Sequence, residues 1–309
     1  MEASIVQSKA MLTVQENISA IEGQDKLIEL FDTKILIGNA GEVLKTIPDR
    51  SFRCCVTSPP YWGLRDYSAA GQIGAENSVD DFVANLVAIF REVKRTLTDD
   101  GTLWLNIGDT YTSGGRTWRA PDSKNQARGM SYRAPTPEGL KPKDLVGVPW
   151  RVAFALQADG WYLRADNIWY KPNCQPESVR DRPTRSHEYL FLFSKSEKYF
   201  YDHEAIKEPA VNGKSRNKRT VWQVNTEPFS GAHFAVFPSA LIEPCILAGS
   251  SEGDSVLDPF FGSGTVGLVC QKLGRKSVGI ELNPEYAEIA KGRLKGFQKS
   301  LFTSKSHVA

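Results

Sequence analysis

Two short stretches hold the residues whose types and spacing could do chemistry. The first is Val56-Thr57-Ser58-Pro59-Pro60-Tyr61; the second, late in the chain, is Val256-Leu257-Asp258-Pro259-Phe260-Phe261-Gly262-Ser263-Gly264-Thr265. Consecutive prolines fix φ at about −65° and donate no N–H, so the chain beyond Ser58 is stiff. The Ser58 side chain and the backbone carbonyls then face one small space as acceptors, suited to an NH2 group on a flat ring. Tyr61 offers a ring face for a planar heterocycle. Accepting from both N–H groups draws such a nitrogen toward tetrahedral geometry and frees its lone pair for attack. The plainer reading of the same residues is a stiff strand-to-loop turn with a packed tyrosine.

The second stretch suits a nucleoside-bearing ligand. Gly262 and Gly264 let the backbone pass close to it. A helix starting near Thr265 directs free N–H groups at a carboxylate end. One strand later, Val278-Gly279-Ile280-Glu281 places an acid to accept ribose hydroxyls. Glycine-rich turns bind nucleotides generally, and Gly262-Ser263-Gly264-Thr265-Val266-Gly267 has the Gly-X-Gly-X-X-Gly spacing, so it is the proline clamp that disfavours a dinucleotide enzyme.

The elements that must position these residues follow from hydrophobic pattern. Arg53-Cys54-Cys55-Val56 predicts a buried strand ending at Thr57. Ile35 to Gly38 predicts another, with a helix over Glu42 to Ile47. Val14 to Leu30 has room for a short helix. Phe82, Leu86, Ile89, Phe90, Val93 and Leu97 recur at helical spacing, and Gly101 is expected to stop that helix before a strand over Thr102 to Asp109. Leu145 to Ala158 predicts a helix, Trp161 to Lys171 and His187 to Phe193 strands, and Leu241 to Ala248 a helix. Ser255 to Asp258 predicts the strand before the glycine loop, and Pro284 to Gln298 the closing helix.

Thr-Ser-Pro-Pro-Tyr resembles the catalytic motif of the DNA amino-methyltransferases, and Asp258-Pro259-Phe260-X-Gly262-Ser263-Gly264-Thr265 resembles their cofactor loop. With the catalytic motif first, the order is similar to the permuted β class, and the likeness runs from about Thr33 to Leu294. It implies an α/β, Rossmann-like methyltransferase fold: a mostly parallel twisted sheet, helices on both faces, and inserted DNA-recognition loops. It implies S-adenosyl-L-methionine as methyl donor. Catalysis would fall to Ser58, Pro59, Pro60 and Tyr61. The cofactor would be held by Asp258, Pro259, Phe260, Gly262, Gly264, Thr265 and Glu281, with Asn39, His233, Phe237 and Pro238 lining its pocket. Asn39 stands where the family often has an aspartate. A serine before Pro-Pro resembles the cytosine-N4 enzymes, whereas Asp or Asn there is commoner in adenine-N6 enzymes, so the expectation leans to cytosine-N4 with adenine-N6 as alternative. A DNA-binding regulator with a vestigial pocket is disfavoured by intact Ser58, Tyr61, Asp258 and Glu281. Asn173 interrupts the Pro-Cys dipeptide of the cytosine-carbon enzymes at Pro172-Asn173-Cys174, and Cys174 is not expected to be catalytic.

The organisation expected is an extension over 1–32, a methyltransferase domain over 33–298 and a tail over 299–309. Lys plus Arg number 38 against 36 for Asp plus Glu, a net charge of +2 that does not announce nucleic acid. Basic character is local, in inserts 111–143 and 205–221. Candidate contacts to double-stranded DNA are Arg65, Arg116, Arg119, Arg128, Arg133, Arg182, Arg185, Lys214, Arg216, Lys218 and Arg219; a solvated loop is the plainer reading, as strong for Arg65, Arg182 and Arg185 and weaker for the two inserts. The 5 cysteines lack metal-type spacing and read as reduced thiols, Cys54 and Cys55 being buried. No apolar run suits a signal peptide or a membrane span, so a cytoplasmic, nucleoid-associated protein is expected. The family also brings the expectation of a homodimer and of a cognate restriction endonuclease on a separate chain.

Overall fold

The computed structural model describes residues 27–64, 71–113, 118, 134–211, 213–227 and 237–305. Its strands in chain order are β1 (Leu27–Leu30), β2 (Thr33–Ile37), β3 (Phe52–Thr57), β4 (Leu97–Ile107), β5 (Tyr162–Tyr170), β6 (His187–Ser194), β7 (Glu208–Pro209), β8 (Ser215–Arg216), β9 (Val221–Gln223), β10 (Ser255–Asp258) and β11 (Lys276–Glu281). Nine of them form a central sheet in the order β1-β2-β11-β10-β3-β4-β6-β5-β9, and β7 and β8 make a small antiparallel hairpin apart from it. Pairing is parallel from β2 through β11, β10, β3 and β4, and antiparallel at β1–β2, β4–β6 and β6–β5. The mostly parallel sheet expected from the sequence is present.

Among the described residues, six helices cover the two faces. On one side lie α1 (Ala40–Thr46), α2 (Val79–Thr96) and α3 (Val148–Ala158); on the other, α4 (Ser239–Gly249), α5 (Thr265–Lys272) and α6 (Pro284–Lys305). Strand β3 shows why the sheet must be covered twice: Cys55 packs toward α1 and α2, whereas Cys54 and Val56 pack toward α4. Alternation with apolar residues in both phases demands a helix layer on each face. Burial pushes the Cys54 thiol up to about 12, so it behaves as a small apolar group.

Several boundaries differ from the sequence expectation. Leu27–Leu30 is not helical; it pairs antiparallel with β2, Leu27 opposite Leu36. Gly101 does not precede β4 but lies within it, because Leu97 already pairs with Phe52. Helix α3 starts only at Val148, after Gly147 in the left-handed region at φ 77°. Helix α6 continues through Lys305 into the segment expected to be a tail.

The chain moves outward from β10 to β11 on one side and from β3 to β4 on the other. The crevice between the carboxyl ends of β10 and β3 is therefore a topological switch point, where ligands bind in open α/β sheets. Behind it, the Phe261 ring fills a slot floored by Gly279 and walled by Gly267, and a Cβ at Gly279 would fall inside that ring. Gly279→Ala is expected to cost roughly 1–3 kcal/mol of stability, the usual penalty of overpacking. Gly292→Ala on α6, where an added Cβ meets nothing within 4 Å, is expected to gain roughly 0.5–1 kcal/mol. Urea unfolding midpoints check both, and shifts in the same direction would contradict the packing argument.

Candidate active site

Strand β3 ends at Thr57 and strand β10 at Asp258, side by side at the switch point. The Thr57 hydroxyl donates to Asp258 Oδ1 at 2.7 Å, and the Phe260 N–H donates to the same oxygen at 3.0 Å. The chain that leaves β3 becomes the rigid Ser58-Pro59-Pro60-Tyr61 turn, and the chain that leaves β10 becomes the glycine loop. Both open into a single cavity of about 500 Å³, a size usual for small-ligand sites. Ser58, Pro59, Pro60 and Tyr61 line it together with Asp258, Pro259, Phe260, Gly262, Thr265 and Glu281. Asn39 and Phe237 line it as well.

On the side of β10 and β11 the groups suit a nucleoside. Glu281 ends β11 and is buried; its Oε2 accepts from Gly262 N at 2.7 Å and its Oε1 from Asn283 N at 2.9 Å. Each oxygen keeps a further acceptor position for a ligand hydroxyl. Burial raises the Glu281 carboxyl above its usual range, and the backbone donors oppose that rise. Gly264, at φ 80°, precedes α5 with no side-chain cap, so the first-turn N–H groups of that helix await a partner. Arg293 on α6 braces the loop by donating to the Ser263 hydroxyl at 2.6 Å. A deep acid, an uncapped helix and a cavity of this volume fit a ribose-bearing, carboxylate-bearing cofactor.

Asn39 has a local task besides facing the cavity. Its side chain caps α1 by accepting from Gly41 N at 2.9 Å, and its Nδ2 donates to Gly71 O at 3.2 Å. Pro238 and Gly264 frame the cavity rather than line it: Pro238 precedes α4 and Gly264 precedes α5. His233, Arg65, Arg116, Arg119, Arg128 and Arg133 lie outside the described residues.

On the side of β3, β4 and β6 the site holds groups that sequence reasoning did not single out. The Tyr61 hydroxyl donates to Glu188 Oε2 at 2.6 Å, with Asn106 Oδ1 3.2 Å away. Lys171 pairs with the other oxygen of Glu188. Glu177, also in the wall, has its carboxyl lowered by the hydrogen bond from Arg182 and accepts from Arg182 Nη1 at 2.6 Å. One sequence signal was available for Glu188, a single carboxylate opening the apolar run Tyr189 to Phe193, though it has no motif around it.

Among the described residues, the cations expected to meet DNA phosphates are largely engaged within the protein. Arg182 stacks 3.9 Å above the Tyr111 ring besides pairing with Glu177. Arg185 Nη2 lies 3.7 Å from Asp109, which also caps α3. Arg216 and Arg219 both donate to Glu208, at 2.9 and 3.2 Å, and Lys218 lies 4.8 Å over the Trp222 ring. Lys214 is exposed on the turn of the β7–β8 hairpin.

Fold and site together define an amino-methyltransferase architecture, and comparison with known proteins agrees. The family profile described as DNA methylase matches residues 52–292, and the chain belongs to that family. Its relatives include the type II methyltransferase M.SmaI of Serratia marcescens, 64% identical over 282 residues, 90% of this chain and 97% of that one. Another is M.Cfr9I of Citrobacter freundii, 65% identical over 269 residues, covering 87% and 90%. Among solved structures, PvuII DNA methyltransferase (cytosine-N4-specific) superposes with a TM-score of 0.63 over 84% of this chain and 85% of that one; at 21% identity it supports the fold alone. A putative DNA modification methylase of Thermus thermophilus, solved in complex with S-adenosyl-L-methionine, gives 0.57 at 27% identity, covering 85% and 95%.

Burial raises the Asp258 carboxyl to about 7, against the pull of Thr57 and Phe260 N–H. An unfolded aspartate titrates at roughly 3.9. Between there and about 7 the native state holds the extra proton, so this group's contribution to stability falls as pH rises through that window. Thr57→Val, which deletes a donor to the charged form, is expected to raise the Asp258 pKa further. Carboxyl NMR titration reads this directly, and a fall would contradict the assignment.

Proposed function

We propose that this chain methylates the exocyclic N4 amino group of cytosine in double-stranded DNA, with S-adenosyl-L-methionine as donor. The observation that carries the reading is the single cavity shared by Ser58, Pro59 and Tyr61 with Asp258 and Glu281. An amino-group clamp and a nucleoside pocket opening into one space suit a reaction between an amino nitrogen and a nucleoside-borne group. When bound, S-adenosyl-L-methionine supplies an electrophilic methyl group on a sulfonium. Glu281 would accept the ribose hydroxyls, and the N–H groups opening α5 would take the carboxylate end. A cation held against Asp258 would favour its charged form and offset the penalty of burial.

A base inside a duplex cannot reach this cavity, so the target nucleotide would be flipped into it. Ser58 Oγ and the Pro59 carbonyl would accept from its amino hydrogens and orient the nitrogen lone pair toward the cofactor side. Tyr61 would supply the stacking surface. The gain comes from proximity and from stabilising charge that develops on the attacking nitrogen. Ser58, rather than an aspartate or asparagine, supports cytosine. The type II names of the relatives support the modification half of a restriction-modification pair, with the endonuclease as another chain.

Incubation of the protein with unmethylated genomic DNA and the donor, followed by nucleoside mass spectrometry, tests the reading. N4-methylcytosine is the expected product. N6-methyladenine would overturn the base assignment and keep the clamp. No methylated base, at measured cofactor binding, would overturn DNA as substrate.

A further inference from the structure

At the cavity wall stands a half-buried charge pair to which the methyl-transfer reading gives no task. Glu188 lines the cavity wall, and its side chain and that of Lys171 are each only 16% exposed. Sequestered charges must be paired and hydrogen-bonded to persist. Lys171 Nζ takes Oε1, while the Tyr61 hydroxyl donates to Oε2 at 2.6 Å and Asn106 Nδ2 lies 3.3 Å from the same oxygen. Lys171 is itself fixed, 4.0 Å over the Trp169 ring. These residues stand at one end of four adjacent strands, on or just beyond them: Tyr61 after β3, Asn106 in β4, Glu188 in β6 and Lys171 after β5.

The Tyr61 ring is held by packing as well as by its hydroxyl. A Cβ at Gly108, just past the end of β4, would lie 2.6 Å from Tyr61 Cε2, so the ring rests directly on glycine backbone. Packing restrains the ring body, and Glu188 restrains its tip. With Lys171 in place, the pair adds no net charge to a wall that would face a neutral heterocycle. Three donors already take most of the Glu188 acceptor positions, which suits holding better than proton abstraction.

We propose that Glu188, seated by Lys171, is a positioning residue for the target base, acting through the Tyr61 hydroxyl to set the ring plane beside Ser58 and Pro59. The proposal rests on the methyl-transfer reading above. Its reach is limited to one side of the cavity: among the described residues, the groups facing the nucleoside end, Asp258 and Glu281, share no hydrogen bond with this network. Losing the restraint should therefore misplace the base without disturbing the cofactor.

The test is single-turnover transfer of a labelled methyl group from S-adenosyl-L-methionine to unmethylated genomic DNA, with calorimetric cofactor Kd, for Glu188→Gln, Tyr61→Phe and the double variant. Each single change is expected to slow transfer roughly ten- to a hundredfold, the scale of a small misplacement of reacting groups, at unchanged cofactor Kd. The double variant should be no slower than the slower single, because both changes remove one shared interaction. A wild-type rate in Glu188→Gln overturns the proposal, as does a double loss equal to the product of the singles or a parallel weakening of cofactor Kd. If Glu188→Gln does not fold, Tyr61→Phe decides alone: a wild-type rate overturns the proposal, and a slowed rate at unchanged Kd upholds it. A wild-type protein that transfers nothing overturns the DNA-methylation reading itself, whereas an active wild type with an indifferent Glu188→Gln overturns only this proposal.

Discussion

The hydrogen bond from Thr57 to Asp258 joins residues 201 positions apart in the chain, and the site depends on it. It is buried, 2.7 Å long, and lies where β3 and β10 finish side by side. A carboxyl buried this deeply needs donors, and the two it has come one from each motif's strand or loop: Thr57 from the clamp side and Phe260 N–H from its own loop. The contact sets the height at which the proline turn and the glycine loop leave the sheet. Everything downstream, from the direction of Ser58 to the close approach at Gly262, starts from that shared level.

From this point the cavity divides by strand. Toward β10 and β11 it offers Glu281, the uncapped start of α5 and the Phe261–Gly279 contact that seats the loop. Toward β4, β6 and β5 it offers a ring on a glycine, then a carboxylate and an ammonium. The first half suits a nucleoside that carries charge; the second suits a flat neutral ring. An amino-methyltransferase has to hold both partners at once, and the one cavity at the switch point is lined by Ser58 together with both sets of residues.

Much of this was legible in the sequence because the motifs are local. Two prolines after Ser58 make a stiff turn in any context, and Asp258 to Thr265 has the strand-turn-helix pattern written in consecutive residues. What could not be read depends on pairing between distant segments. Leu27–Leu30 is short and apolar, and only its register with β2 makes it a strand. Thr98, Asp99 and Asp100 look like a break after a helix, yet Leu97 opposite Phe52 begins the ladder ahead of them. Arg216 and Arg219 read as free cations until the fold turns both onto Glu208. Glu188 carries no motif, and its partners are Asn106, Lys171 and Tyr61 on three other strands or loops.

On the proposed function, one cavity divides its labour between a clamp that reacts and a loop that binds. The most direct measurement compares single-turnover methyl transfer with calorimetric cofactor affinity in Ser58→Ala and Asp258→Ala. Ser58→Ala is expected to lose transfer while keeping cofactor affinity, and Asp258→Ala to lose cofactor affinity. Equal loss of both quantities in Ser58→Ala, or undiminished cofactor binding in Asp258→Ala, would contradict that division.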